Sequence, residues 1–137
     1  MKFRRIGSML VASILALSCV VGLAEAKVAS MRYSHTSIIS AGLRMSGNNA
    51  QCSGIVKPSN SINSSQIEVK LQRNVSGTWS TIKSWSGSAT NGWTAQAGGV
   101  YGVTSGFEYR VVSIGRVFSP SGVLLEETSA TSATSIL

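Results

Sequence analysis

Beyond Ala26 the chain has no long stretch of helical period; apolar and polar positions alternate in short runs broken by turn residues. The clearest run is QIEVKLQR, residues 66–73. Ile67, Val69 and Leu71 fall on one side and Glu68, Lys70 and Gln72 on the other, the period of two of a half-buried strand. Ile39, Ala41, Leu43 and Met45 alternate with Ser40, Gly42 and Arg44 as a first strand. Ala50, Cys52, Gly54 and Val56 alternate with Gln51, Ser53, Ile55 and Lys57 as a second. SGNN (46–49) between them predicts a hairpin turn, and Pro58 bars continuation into the polar stretch KPSNSINSS. GTWSTIKSWSG (77–87) follows as a fourth strand and Trp93 to Ala97 as a fifth. Phe107 to Ile114 makes a sixth, and Val123 to about Thr128 a seventh. The Ser/Thr-rich tail TSATSATSIL is expected to fray.

Seven short strands in roughly a hundred residues predict an all-β protein, an immunoglobulin-like or fibronectin-type β-sandwich. GFEYRVV sharpens this, with Phe107, Tyr109 and Val111 on one strand face. Immunoglobulin-like sandwiches carry a tyrosine at the start of the sixth strand, its hydroxyl bonding back to the backbone at the corner. The second cysteine of an immunoglobulin domain would stand at Val111, and the first at the second-strand position that Cys52 occupies. The cross-sheet contact is therefore expected to be apolar, with Cys52 buried and structural; an intermolecular disulfide is the alternative.

The tryptophans pose a register problem. Trp79 and Trp85 share parity, and Ile82 has the opposite one. A regular strand cannot bury all three on one face, so either a β-bulge intervenes or at least one large side chain faces out. On a regular strand the two rings stand about 20 Å apart, too far for one sugar ring. The preferred reading has Trp79 as a structural, core-facing residue and Trp85 as the more exposed. Trp85 and Trp93 are then the candidate ligand-binding residues, a stacking surface for a glycan or partner chain.

The first residues change the picture of where the domain starts. Lys2, Arg4 and Arg5 precede an uncharged run from Ile6 to Ala24, and AEA (24–26) supplies small residues for signal-peptidase cleavage. The expectation is a signal peptide over 1–26 and a single domain over 27–137, with a retained membrane anchor as the rival reading. The box ALSC (16–19) lacks the large aliphatic residue of a lipoprotein signal. Residues 27–137 hold nine basic and four acidic side chains, a net charge of +5. The basic residues are scattered singly along the chain, which argues against a nucleic-acid groove and biases the protein towards anionic wall polymers or surfaces. Cys52 is the sole cysteine of this part, so no intramolecular disulfide can form there.

The segments VKLQRNVSGTWSTIKSW, GVTSGFEYRVV and EETSATS together resemble a family of small secreted proteins of Gram-positive bacteria. The resemblance covers most of the chain from about Tyr33 onward. It implies secretion and an immunoglobulin-like fold, and it carries no activity, catalytic residue or ligand.

The chain has no aspartate and one histidine, His35. That removes Asp-based triads and dyads, and a lone histidine cannot build a multi-histidine zinc site. A Cys52–His35 nucleophile pair would need the thiol exposed, against its apolar alternation. Glu126 and Glu127 are neighbours on opposite strand faces, and Glu68 and Glu108 sit on polar faces suited to cross-strand pairing with Lys or Arg. Gly98–Gly99 lacks the lysine of a phosphate loop. The expectation is a secreted or envelope-associated protein, not an enzyme, with no cofactor, no metal and no membrane contact after cleavage. It would act as a binding module for a protein, glycan or cell-wall polymer. The alternatives are a carbohydrate-binding module using exposed tryptophans and a secreted cationic toxin or antimicrobial factor.

Overall fold

A computed structural model of the chain describes residues 24–28 and 33–137. The strands are β1 (Ala24–Val28), β2 (Thr36–Ser46), β3 (Asn49–Pro58), β4 (Ser64–Val75), β5 (Thr78–Ala89), β6 (Ala95–Gly102), β7 (Glu108–Phe118), β8 (Leu124–Thr131) and β9 (Ser135–Ile136). All ladders are antiparallel and they form two sheets. One has the order β1-β2-β3-β6; the other has β5-β4-β7, with β8 and β9 sharing the outer edge of β7. All seven strands read from the alternation are present. The expected signal segment lies outside the described residues except for Ala24–Ala26, which open β1.

The inner faces meet in one core. Ile39, Ala41 and Leu43 of β2, Ala50, Cys52 and Val56 of β3 and Ala95 of β6 pack with Ile67, Val69 and Leu71 of β4, Tyr109 and Val111 of β7 and Ala130 of β8. Removing each large aliphatic side chain from water stabilises the fold by roughly 1.5–3 kcal/mol, and the period of two delivers them all to one side. Gly54 of β3 faces Ser113 of β7, where a Cβ on the glycine would meet Ser113 Oγ and come within 2.6 Å of Val69 Cγ2. Ser113 Oγ is itself buried and without a hydrogen-bond partner.

At the corner between β6 and β7 the fully buried Tyr109 donates its hydroxyl proton to Thr104 O and accepts a hydrogen bond from Thr104 N (3.1 Å). Cys52 and Val111 both lie in the apolar core, as expected of a sandwich without the cross-sheet disulfide. On the opposite edge, Glu126 turns inward and accepts from the backbone N–H groups of Ser34 (3.1 Å) and His35 (2.9 Å), tying the approach to β2 onto β8. Its neighbour Glu127 turns outward to Arg116, with 2.7 Å between Arg116 Nε and Glu127 Oε2.

Two expectations about order are corrected. The tail does not fray. Thr128, Ala130 and Ser132 are buried at a period of two, Ser132 Oγ accepts from Val111 N (2.9 Å), and Ser135 and Ile136 pair with Tyr109 and Glu108. The fifth strand starts at Ala95, leaving Trp93 in the preceding turn.

Burial pushes the Cys52 thiol up from its ordinary 9.0 to about 12. The folded state then keeps its proton in alkali while the unfolded chain loses it. The thiol's contribution falls between pH 9 and about 12, by up to about 1.4 kcal/mol per pH unit. We expect native Cys52 to resist a thiol-labelling reagent at pH 8 and to react once the protein is unfolded in urea. The alkaline loss of stability should be shallower in Cys52→Ala. Rapid labelling of the native protein would show that the thiol is accessible.

Candidate functional site

The register of β4 against β5 settles the tryptophans. Leu71 pairs with Lys83 and Gln72 with Thr81, so Ile82 is the extra residue of a bulge on β5. The bulge reverses the parity of the strand between the two rings. Trp85 pairs with the buried Val69 and turns inward; Trp79 pairs with Asn74 and turns outward. Ile82 and Trp85 both pack against the core, so the core-facing assignment of Trp79 is corrected: Trp85 holds that position. The physical reason is economy of burial, since one inserted residue brings two large apolar side chains inward where a regular strand could bring one.

Trp85 fills the seam where the free edges of β5 and β6 run beside each other. A Cβ on Gly99 would stand 2.5 Å from Trp85 Nε1 and 3.0 Å from Cε2, so the residue opposite the indole has to be glycine. Gly98 has φ +147, and a Cβ there would strike Cys52 O. The Gly98–Gly99 pair is thus the socket for Trp85 and the turn of β6 past β3.

Trp93 stands elsewhere, 71% exposed in the connection from β5 to β6. Its loop is tied to the β3–β4 loop by Gly92 N donating to Asn63 O (2.8 Å) and to β3 by Lys57 Nζ donating to Gly92 O (3.2 Å). Trp85 and Trp93 therefore do not form an exposed ring pair, because the first is packed into the seam.

The outward tryptophan has company that the sequence reading missed. The Arg110 guanidinium lies over the Trp79 ring, 4.2 Å from its centroid, and Arg110 Nε donates to Gln72 Oε1 at 2.8 Å. Gln72 Nε2 donates in turn to Thr81 Oγ1 (3.2 Å), and Asn74 Nδ2 donates to Glu108 Oε1 (3.1 Å). The outer face of the sheet thus presents a half-buried indole held by a cation, within a row of amides and a hydroxyl. Two further pairs lie on the inward side of the strands: Arg73, opposite Tyr109, is 4.6 Å from the Phe107 centroid, and Lys83 Nζ, opposite Leu71, is 5.9 Å from that of Tyr101. Farther along the outer face a shallow depression of about 440 Å³ is lined by Gln66, Glu68, Ser86, Ser88 and Arg116.

The expected carboxylate pairing is also adjusted. Among the described residues Glu127 forms the ion pair, with Arg116; Glu108 is met by Asn74 instead of a cation. No described group of three or more His, Cys, Asp or Glu is placed to hold a metal, and no described helix is long and apolar enough to cross a membrane. Compared with known protein families, curated proteins and solved structures, the chain matches none.

Proposed function

We propose that this chain is an exported, non-catalytic binding module with an immunoglobulin-like β-sandwich, contacting its ligand through the outer face of the β5-β4-β7 sheet around Trp79. The single observation that carries the reading is the outward Trp79, held by Arg110 and flanked by Gln72, Thr81 and Asn74. An aromatic ring on a rigid sheet, ringed by amide and hydroxyl groups, offers area for stacking at little entropic cost and polar atoms to fix orientation. The strand order supports the sandwich class: β2, β3 and β6 oppose β5, β4, β7 and β8, and Tyr109 stands at the β6–β7 corner. Export rests on the basic start, uncharged run and AEA motif, and on the resemblance to small secreted Gram-positive proteins. A wall polymer, a glycan or a surface protein fits this face.

The test is binding of the protein to purified wall material and a glycan panel, comparing wild type with Trp79→Ala and Trp93→Ala. Trp79→Ala is expected to weaken binding by roughly ten-fold or more, a loss typical of an aromatic anchor, while remaining folded. Trp93→Ala should bind as wild type. The opposite pattern would move the site to the loop that carries Trp93.

A further inference from the structure

The antiparallel strands bring together at one end of the sandwich basic residues that are far apart in sequence. Arg44 near the end of β2, Arg73 near the end of β4, Lys83 beyond the β5 bulge and Arg110 near the start of β7 all lie in the half that ends in the 47–48 and 76–77 turns. One acidic side chain, Glu108, shares that half, its partner being Asn74, and the Leu137 carboxyl group lies there too, accepting from Gly106 N. Lys57 and Arg116 share the other half with Glu68, Glu126 and Glu127. With Lys27 and Lys70 near mid-strand, the described side chains are therefore more basic at this end than at the other.

Three of these cations rest on aromatic rings in place of carboxylates: Arg110 on Trp79, Arg73 on Phe107 and Lys83 on Tyr101. A ring holds a cation in position without neutralising it, so the charge stays available to a ligand. Arg73 Nε is in addition buried and without a hydrogen-bond partner. None of the four cations has an ion-pair partner among the described residues, where Arg116 does.

Resting on the reading of Trp79 as part of the binding surface, we infer that this end takes an acidic glycan: a sugar or polyol chain bearing carboxylates or phosphodiesters, its rings on the aromatic side chains and its anions on Arg73, Lys83 and Arg110. Arg110 with Trp79 offers this pairing of cation and ring on the outer face, and Arg73 with Phe107 and Lys83 with Tyr101 offer it at the inner margin of the same end. Fixed, uncompensated charge supplies attraction that salt weakens.

The experiment measures binding of the intact protein to polygalacturonate, poly(glycerol phosphate), neutral dextran and a single-stranded thymidine oligonucleotide. At least one of the two acidic polymers should bind roughly ten-fold or more above dextran. Its affinity should fall by about ten-fold between about 50 and about 300 mM salt. Whichever acidic polymer binds names the anion. Combined Arg73→Gln, Lys83→Gln and Arg110→Gln should remove most of that binding, and combined Lys57→Gln and Arg116→Gln should leave it within about two-fold. Glu108→Gln keeps an acceptor for Asn74 and should tighten binding by about two-fold, a readout that survives if the triple variant does not fold. Salt-independent binding, a triple variant equal to wild type, or an unchanged Glu108→Gln beside an unfolded triple variant overturns the inference. So does tighter binding of the oligonucleotide than of either acidic polymer. Trp79-dependent binding of dextran alone would leave the proposed function standing and sink the acidic ligand; no polymer binding at all would sink both.

Discussion

Gly54→Ala is expected to destabilise the protein by about 3 kcal/mol, and Gly54→Val to prevent folding. On an open strand position the change to alanine would gain a few tenths to about 1 kcal/mol, because glycine loses the most chain entropy on folding. Here space decides the sign. The new methyl would overlap Ser113 Oγ and crowd Val69 Cγ2 from the facing sheet, and both partners are fully buried. Neither sheet can yield locally, since β3 is hydrogen-bonded to strands on both sides and so are β4 and β7. Ser113→Gly should recover part of the loss in the Gly54→Ala background, giving a coupling of about 1 kcal/mol or more in a double-mutant cycle. Ser113→Ala alone should be neutral or stabilising by about 1 kcal/mol, because it removes a buried hydroxyl that has no partner. Urea unfolding of wild type and these variants measures all of this. Additive single and double variants would mean that the two sheets do not touch at this point.

The second large effect is at the β6–β7 corner. Tyr109→Phe removes one oxygen atom and is expected to cost about 2 kcal/mol, lowering the thermal midpoint by roughly 10 °C for a domain of this size. The ring stays buried, so the hydrophobic contribution is unchanged. What is lost is the pair of bonds between the hydroxyl and both backbone groups of Thr104. Those bonds close the five-residue path from β6 in one sheet to β7 in the other, so the loss also loosens the crossover. Thermal and urea unfolding check the magnitude, and hydrogen exchange at Thr104 checks the location. An unchanged midpoint, with Thr104 N–H exchanging as in wild type, would show that the corner is held by packing alone.

Most of the fold was legible because its strands bury one face each, and a period of two survives in the sequence of such a strand. Ile67, Val69 and Leu71 needed no tertiary information. The tail was misread because its inward positions are Thr128, Ala130 and Ser132, small residues set beside Gly115, Ser113 and Val111 of β7. A pattern of size, not of hydrophobicity, carried the signal there. For the tryptophans the parity conflict was visible, and so was the bulge as one way out. Its outcome depended on the facing strand, and the local clue was Gly98–Gly99, a glycine pair in a strand being a mark of close approach. The candidate site was the least legible part. Arg73, Lys83 and Arg110 are isolated in sequence, and only the antiparallel return of β4, β5 and β7 brings them to one end of the sandwich.

The seam filled by Trp85 has a consequence for how copies of this protein coexist at high concentration. β5 and β6 are both edge strands, and an uncovered edge is a template on which another chain can add a strand. The indole seated on Gly99, with Lys83 beside it over Tyr101, occupies the gap between those edges. A cation and a bulky ring placed there obstruct a flat incoming strand. Loss of the ring is then expected to open both edges to strand addition, seen as larger species when Trp85→Ala is concentrated and compared with wild type by size-exclusion chromatography. The residue that looked most like a tool for gripping ligands would thus serve to keep the protein from gripping itself.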